Sequence, residues 1–509
     1  MLLRQKWFRK LFRRRMLVAF LIVLQAAFLV YAVAGSSIVS RRIGRLLTFI
    51  SILSALHIVS KRDKGAYKTL WVFLILSFPI FGGLLYLLVN FQSPTHRMGK
   101  EIQKALDRSS PHYALPGDAF EDAKKNMDSH FAQVRYLQSY AKFPVYSGTR
   151  TQYFPLGEAF FAELLNQLEK AEKYIFLEYF IIQEGKMWNA ILDILKRKAS
   201  QGVQVRVMYD DLGCFFMLPV DYKKQLESVG IECAIFNPFR PLLTVKQNSR
   251  DHRKIAVIDG KVAFTGGINL ADEYINAYEK HGHWKDTAVM VEGKAAWSFT
   301  LMFLEMWQVC TKREEDLAAF YVPYEVPSDG LVLPYADSPM DNDNVGEHVY
   351  LQILNEAQDY VYINTPYLII DDSVVSALCL AAKRGVDVQI VTPHIWDKRL
   401  VHMTTRSYYR ELIRAGVKIY EYSKGFIHAK SFVSDDCIAT VGTTNLDFRS
   451  LYLHFECGTW LYKTAAVMQA KEDFLQTLDL CQPITDVDCK ANPVTRLVQD
   501  ILRLFAPLM

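Results

Sequence analysis

Two copies of one spaced pattern constrain this chain more than any other feature. The first copy runs His252-Arg-Lys254, then Asp259 and Asn269; the second runs His428-Ala-Lys430, then Asp435 and Asn445. In each, Asp stands seven residues after the His and Asn seventeen after it. Identical internal spacing implies an internal repeat, which has to be recognised before any other fold assignment. Between His and Asp each copy carries an apolar run that reads as a buried strand. In extended backbone, His and the Lys two positions on share a face. The Gly-x-x-Asn that comes next (Gly266 to Asn269, Gly442 to Asn445) fits a tight turn in which Gly permits close backbone approach. Two such units, face to face, would gather two His, two Lys and two Asn in one cleft. That is a phosphate site with a nucleophile and an acid in it.

The flanking sequence repeats as well. The first unit reads as a helix 157–173, a strand 174–182, a helix 187–200 and a strand 203–209. The second reads as a helix 347–359, a strand 360–367, a helix 373–384 and a strand 386–391. Gly202 and Gly385 each mark a helix stop before a Val-rich strand. A further strand comes after Gly230 in one unit and Gly416 in the other and leads into each His motif. Strands alternating with helices predict an α/β sandwich around a largely buried mixed sheet.

The N-terminus has a different character. Seven of the first fifteen residues are Lys or Arg, and 17–34 is apolar apart from Gln25. Such a run is long enough for a hydrocarbon core of about 30 Å. It is too long for a typical signal-peptide core, so an uncleaved anchor is expected. The stretch 70–89 reads as another span, its Pro79 and Gly82-Gly83 being tolerated in membrane helices. Residues 46–59, shorter and containing His57, read as a third span or an interfacial helix. Arg41, Arg42 and Arg45 on one side and Lys61, Arg62, Lys64 and Lys68 on the other divide the positive-inside evidence on topology.

The expected organisation is a membrane anchor 1–92, a polar juxtamembrane linker 93–146, a first catalytic unit 147–314, a Pro-containing bridge 315–343, and a second unit 344–509. Helical pieces are expected at 100–108 and 120–141 in the linker. After Cys457 a helical region is expected, with 494–508 amphipathic. That tail suits a membrane surface or packing on the body. Eight Cys without a Cys-x-x-Cys argue against a zinc site or a disulfide framework. His281-Gly-His283 is the nearest approach to a ligand pair and reads as a surface loop; no metal and no cofactor are expected. His394, His402 and His454 read as structural. A net charge of only +5 argues against a nucleic-acid partner, which would call for a broad basic face.

The paired His-x-Lys-x4-Asp motifs (within 246–273 and 422–449) resemble the phospholipase D superfamily. Tyr153-Phe-Pro-Leu-Gly-Glu158, Phe176-Leu-Glu178-Tyr-Phe180, Asp251-His-Arg-Lys-Ile255 and Thr265-Gly-Gly-Ile-Asn-Leu-Ala-Asp272 are similar to bacterial cardiolipin synthases. The resemblance implies two pseudo-symmetric α/β units sharing one active-site cleft, preceded by transmembrane helices in the bacterial plasma membrane, with the catalytic body facing the cytoplasm. It implies transfer of a phosphatidyl group between two phosphatidylglycerol molecules, giving cardiolipin and glycerol through a phosphohistidine. His252 would be the nucleophile and His428 the general acid and base, the reverse order remaining open. Lys254, Lys430, Asn269 and Asn445 would hold the phosphate, and Asp286 and Glu456 would each stand behind a His. Asp259 and Asp435 complete the catalytic motifs but suit holding loops together better than touching phosphorus. Another phosphatidyltransferase or phospholipase, such as one of phosphatidylserine synthase type, is the alternative; an inactive membrane scaffold is a third reading, against which both intact motifs weigh.

Overall fold

The computed structural model describes residues 38–61, 64–78, 93–113, 119–127, 129–238, 248–341 and 343–508, with Val23, Ala27, Tyr31 and Tyr86. These divide into two compact units. One comprises the described residues of Met1–Met98, Phe239–Asn248 and Ile501–Met509; the other comprises those of Gly99–Pro238 and Ser249–Asp500.

In the first unit, helices α1 (Ile38–Ser60) and α2 (Gly65–Ser77) pack Ile58 against Ile75 and Tyr86. Leu46, Phe49, Ile50, Leu53, Leu56 and Val59 on α1 remain exposed. Among the described residues no helix is long and apolar enough to cross a membrane. The region 46–59 lies within α1. The expected span 17–34, and 70–89 beyond Phe78, fall outside the described residues except for Val23, Ala27, Tyr31 and Tyr86.

The larger unit holds the repeat. Its first half contributes β1 (Thr149–Phe154), β2 (Tyr174–Tyr179), β3 (Gln204–Asp210), β4 (Glu232–Phe236), β5 (Lys254–Ile258), β6 (Val262–Gly266), β7 (His283–Lys285) and β8 (Ala288–Gly293). The second contributes β9 (Leu331–Asp337), β10 (Tyr360–Asn364), β11 (Leu368–Ile369), β12 (Asp387–Pro393), β13 (Lys418–Tyr422), β14 (Gly425–Ile427), β15 (Ser431–Ser434), β16 (Ile438–Gly442), β17 (Leu446–Asp447), β18 (Glu456–Tyr462) and β19 (Cys481–Ile484). Two main sheets result, ordered β4-β3-β2-β5-β6-β8-β1 and β19-β13-β12-β10-β15-β16-β18-β9. Apart from β19 the orders correspond strand for strand. So do the directions: β2-β3-β4 and β10-β12-β13 are parallel, and the remaining neighbours antiparallel. The repeat read from motif spacing is therefore a repeat of topology.

Parallel strands need crossovers, supplied here by helices such as Lys186–Ser200 and Asp372–Lys383. Both sheet faces are consequently covered, and β2, β5, β6, β15, β16 and β18 are buried along their whole length. Helix Ala296–Thr311 is buried on nearly every side, as its all-round apolar sequence requires.

Two expectations need correction. The supposed bridge 315–343 contains β9, which pairs along β18 and takes the place that β1 holds in the first sheet. The region after Cys457 is not purely helical, since β18 and β19 both lie in it. The polar linker 93–146 buries several side chains in its described part. Its helix Ser93–Tyr113 buries Ile102, Ala105 and Tyr113, and Ser109 and Tyr113 both donate to Glu305. Gln133 accepts from Trp460 Nε1 at 2.7 Å. The amphipathic tail forms a helix, Pro493–Phe505, with no buried residue.

Candidate active site

Each histidine sits at a strand end and is gripped by the opposite half of the repeat. The His428 amide donates to Lys285 O at 2.7 Å, continuing the short parallel pairing of β14 with β7. The His252 amide donates to Phe455 O at 2.9 Å, where Asp251 bridges Phe455 in the same parallel sense. The residue after each acceptor is a carboxylate. Asp286 Oδ2 lies 2.6 Å from His428 Nδ1, and Glu456 Oε1 and Oε2 lie 2.9 and 3.0 Å from His252 Nδ1. Thus the acid from each half orients the histidine of the other. A proton on Nδ1, shared with the carboxylate, leaves the Nε2 lone pair free.

The carboxylates are held in their turn. Gly267 passes so close to Asp286 that a Cβ there would stand 2.0 Å from Oδ1. The corresponding residue of the second half, Thr443, donates its hydroxyl to Glu456. Both acids are fully buried, and burial pushes the Glu456 carboxyl well above the usual range.

The lysines lie beneath the histidines. Lys254 and Lys430 are 1% and 2% exposed and each donates to the carbonyl of its own motif histidine. Burial lowers Lys254 to about 8 and Lys430 to about 7. Burial, with Lys430 next, lowers His428 to about 4. His252 is held well below 6.5 by burial, then by Lys254, His454, Lys430 and His428. The cleft therefore brings two imidazoles held toward their neutral form beside two buried lysines whose charge burial opposes.

The motif aspartates do other work. Asp259, at φ 53°, accepts the amides of Glu172, Lys173 and Tyr174; Asp435, at φ 51°, accepts those of Gln358, Asp359 and Tyr360. Both tie the turn after the motif strand to the start of β2 or β10, away from the histidines. The asparagines are buried but committed. Asn269 accepts from Ile181 N at 3.0 Å and donates to Tyr274 OH at 2.7 Å; Asn445 donates to Asp447 at 3.2 Å. Each amide nitrogen keeps a second N–H.

Sequence reading missed the walls of the cleft and a third imidazole. Phe180 stands edge-on to His252 at 5.1 Å, while Tyr274 and Trp284 pack on His428 at 5.7 and 5.4 Å. His454, expected to be structural, has its ring 5.5 Å from that of His252. Its spacing two before Glu456 was the available signal, since residues two apart in extended chain face one way. His252, His454 and Glu456 form the one His/Cys/Asp/Glu group among the described residues able to surround an ion. His283 lies in β7, not in a surface loop, and its Nδ1 stands 2.9 Å from Tyr422 OH. All eight cysteines are free.

The profile of the cardiolipin synthase, PLD-like domain family matches residues 164–307 and 350–478, and that of the phospholipase D-nuclease N-terminal family matches 49–89. Cardiolipin synthases of Alkalihalophilus pseudofirmus and a Geobacillus species are each 35% identical, over 90% and 92% of this chain and 92% and 95% of theirs. An uncharacterized Streptococcus mutans protein is 46% identical over 90% of this chain and 99% of its own length. The phosphatidylserine synthase of Haemophilus influenzae shares the fold, with TM-score 0.56 at 14% identity over 74% of this chain and 97% of that one. With two sheets of matched topology and two His-x-Lys motifs, each clasped by the other half, the chain belongs to the bacterial cardiolipin synthase family of the phospholipase D superfamily.

Proposed function

We propose that the protein is a membrane cardiolipin synthase, which moves the phosphatidyl group of one phosphatidylglycerol onto the glycerol hydroxyl of a second. The reciprocal pairing of His252 with Glu456 and His428 with Asp286 carries the reading. It supplies two oppositely sited imidazoles, each with a fixed tautomer. In the first step His252 Nε2 attacks phosphorus, the P–O bond to the glycerol headgroup breaks, and His428 gives that oxygen a proton. In the second, His428 takes the proton of the incoming hydroxyl, whose oxygen displaces His252 and forms cardiolipin. One phosphodiester replaces another, so no nucleotide is consumed. Lys254, Lys430 and the remaining N–H groups of Asn269 and Asn445 stabilise the charge that gathers on the equatorial oxygens. The bound anion offsets the lysines' repulsion of a proton on His428, which is thereby raised toward an acid's working range.

Residues 1–92 serve as a multi-pass anchor in the bacterial plasma membrane, with the body on the cytoplasmic side. The exposed apolar side chains along α1 support this assignment. Purified full-length protein given phosphatidylglycerol alone is expected to release cardiolipin and glycerol in equal amounts. Phosphatidic acid as the main product would replace the synthase reading by a hydrolase. Retention in the membrane pellet after alkaline carbonate washing tests the anchor, and release into the supernatant would remove it.

A further inference from the structure

The third imidazole gives the cleft a capacity that the transfer reaction does not use. His454 is only 11% exposed at its side chain, and both of its ring nitrogens are buried without a hydrogen-bond partner. Buried polar atoms are ordinarily satisfied, so such an orphan calls for a ligand. His454 Nδ1 lies 3.8 Å from Glu456 Oε1, and that same oxygen lies 2.9 Å from His252 Nδ1. Donor atoms of all three residues fall within 4.8 Å of one another. A tetrahedral zinc with bonds of about 2.0–2.1 Å needs donor separations of about 3.3 Å. The two edges that meet at Glu456 Oε1, 2.9 and 3.8 Å, lie on either side of that value. The second oxygen of Glu456 is already oriented by the Thr443 hydroxyl, as outer-shell partners of metal-binding carboxylates are.

We propose that His252, His454 and Glu456 form an inhibitory site for Zn2+, in which the ion disables the nucleophile. The proposal rests on the assignment of His252 as nucleophile. In the active tautomer the single ring proton of His252 is on Nδ1, shared with Glu456, and Nε2 carries the lone pair. An ion bound at Nδ1 requires the lone pair there, so the proton moves to Nε2 and the attacking pair is lost. An ion at Nε2 occupies that pair directly. Either arrangement stops phosphohistidine formation without oxidation or bond cleavage. Lys254 and Lys430 oppose any cation, and the imidazoles favour a borderline-soft ion over one that prefers oxygen. The site thus selects Zn2+ over Mg2+ or Ca2+.

The test uses full-length protein in detergent–phosphatidylglycerol micelles, stripped of metal by chelation and desalting. Co2+, as an optical stand-in for Zn2+, is expected to give the visible bands of a low-coordinate nitrogen–oxygen site. Zn2+ should displace them while abolishing both transfer and the covalent adduct on His252. Mg2+ should do neither. In His454→Gln the bands should be lost and the half-inhibitory Zn2+ concentration should rise roughly tenfold or more, with metal-free transfer retained. Unchanged bands and unchanged Zn2+ sensitivity in that variant would overturn the site. An adduct that maps to His428 in metal-free protein would instead break the nucleophile assignment, and the Co2+ difference between the two proteins would still stand. Should His454→Gln fail to fold, X-ray absorption of the zinc-loaded parent decides. Two imidazoles and an oxygen in the first shell are required, and sulfur or a single imidazole refutes the site.

Discussion

Replacing Glu456 by Gln changes almost no volume, yet it strikes both partners of a buried acid. Glu456 accepts from two donors, His252 Nδ1 and the Thr443 hydroxyl. A carboxamide offers one oxygen and one NH2, so only one of those donors can still be met by an oxygen. If the amide turns its NH2 toward His252, Nδ1 becomes the acceptor, the proton moves to Nε2, and the nucleophilic lone pair vanishes. If it turns its oxygen there, the tautomer survives but the charge that balances the developing imidazolium is gone. A hydrogen bond to a charged group contributes about 1.5–3 kcal/mol. The tautomer penalty adds to that, for a combined loss of roughly 3–5 kcal/mol, or about 10²–10⁴ in kcat at 1.36 kcal/mol per decade. Cardiolipin formation from phosphatidylglycerol, with lipid extraction and mass spectrometry, measures it. The reciprocal clasp adds a sharper discriminator. Asp286→Asn should impair His428, whose first task is to protonate the leaving alcohol, so a donor with an activated leaving group should restore adduct formation. The same donor should not restore it in Glu456→Gln. Glu456→Gln within tenfold of the parent, or rescue by that donor equal in both variants, would refute the argued division of labour.

The same geometry makes three further outcomes testable. Asp259→Ala leaves the amides of Glu172, Lys173 and Tyr174 without their acceptor, and should cost about 2–4 kcal/mol of stability. Its thermal midpoint should fall while the activity of the folded fraction persists; a loss of activity in fully folded protein would return Asp259 to the chemistry. Rising pH deprotonates Lys430 near 7 and Lys254 near 8 in the free enzyme. Hence kcat/KM should decline through that interval, whereas the alkaline limb of kcat should lie higher because bound phosphate holds both lysines charged. Coincident limbs would show that the lysines do not sense the anion. Exhaustive chelation should leave transfer intact; complete loss restored by one divalent ion would contradict a mechanism built on lysine and amide donors.

Motif spacing announced the duplication, and a period-two argument placed each Lys on the face of its His. What it could not state was which acid serves which histidine. Asp286 lies 34 residues from His252 in the chain yet hydrogen-bonds to His428, 142 residues away. Such pairing is a property of how two halves dock, and nothing local encodes it. The strand β9 was hidden in a stretch that reads as a Pro-containing bridge, and β19, which contains Pro483, in one that reads as helical. In the fold β9 and β19 are the outer strands of the second sheet, where a missing amide donor is tolerated. His454 escaped because a lone histidine beside aromatic residues is usually packing; only the docked halves bring it to His252.

The cross-half clasp also has a temporal meaning. A growing chain that has emerged as far as β8 contains His252, Lys254 and all seven strands of its sheet, but Glu456 has not yet been made. Its histidine has neither the carboxylate that fixes its tautomer nor the Phe455 carbonyl that anchors its backbone. The incomplete polypeptide thus lacks the pairing that orients this histidine. Neither half alone holds a histidine together with the acid that it pairs with. Both pairs join residues of opposite halves, so neither is complete before the second half is made.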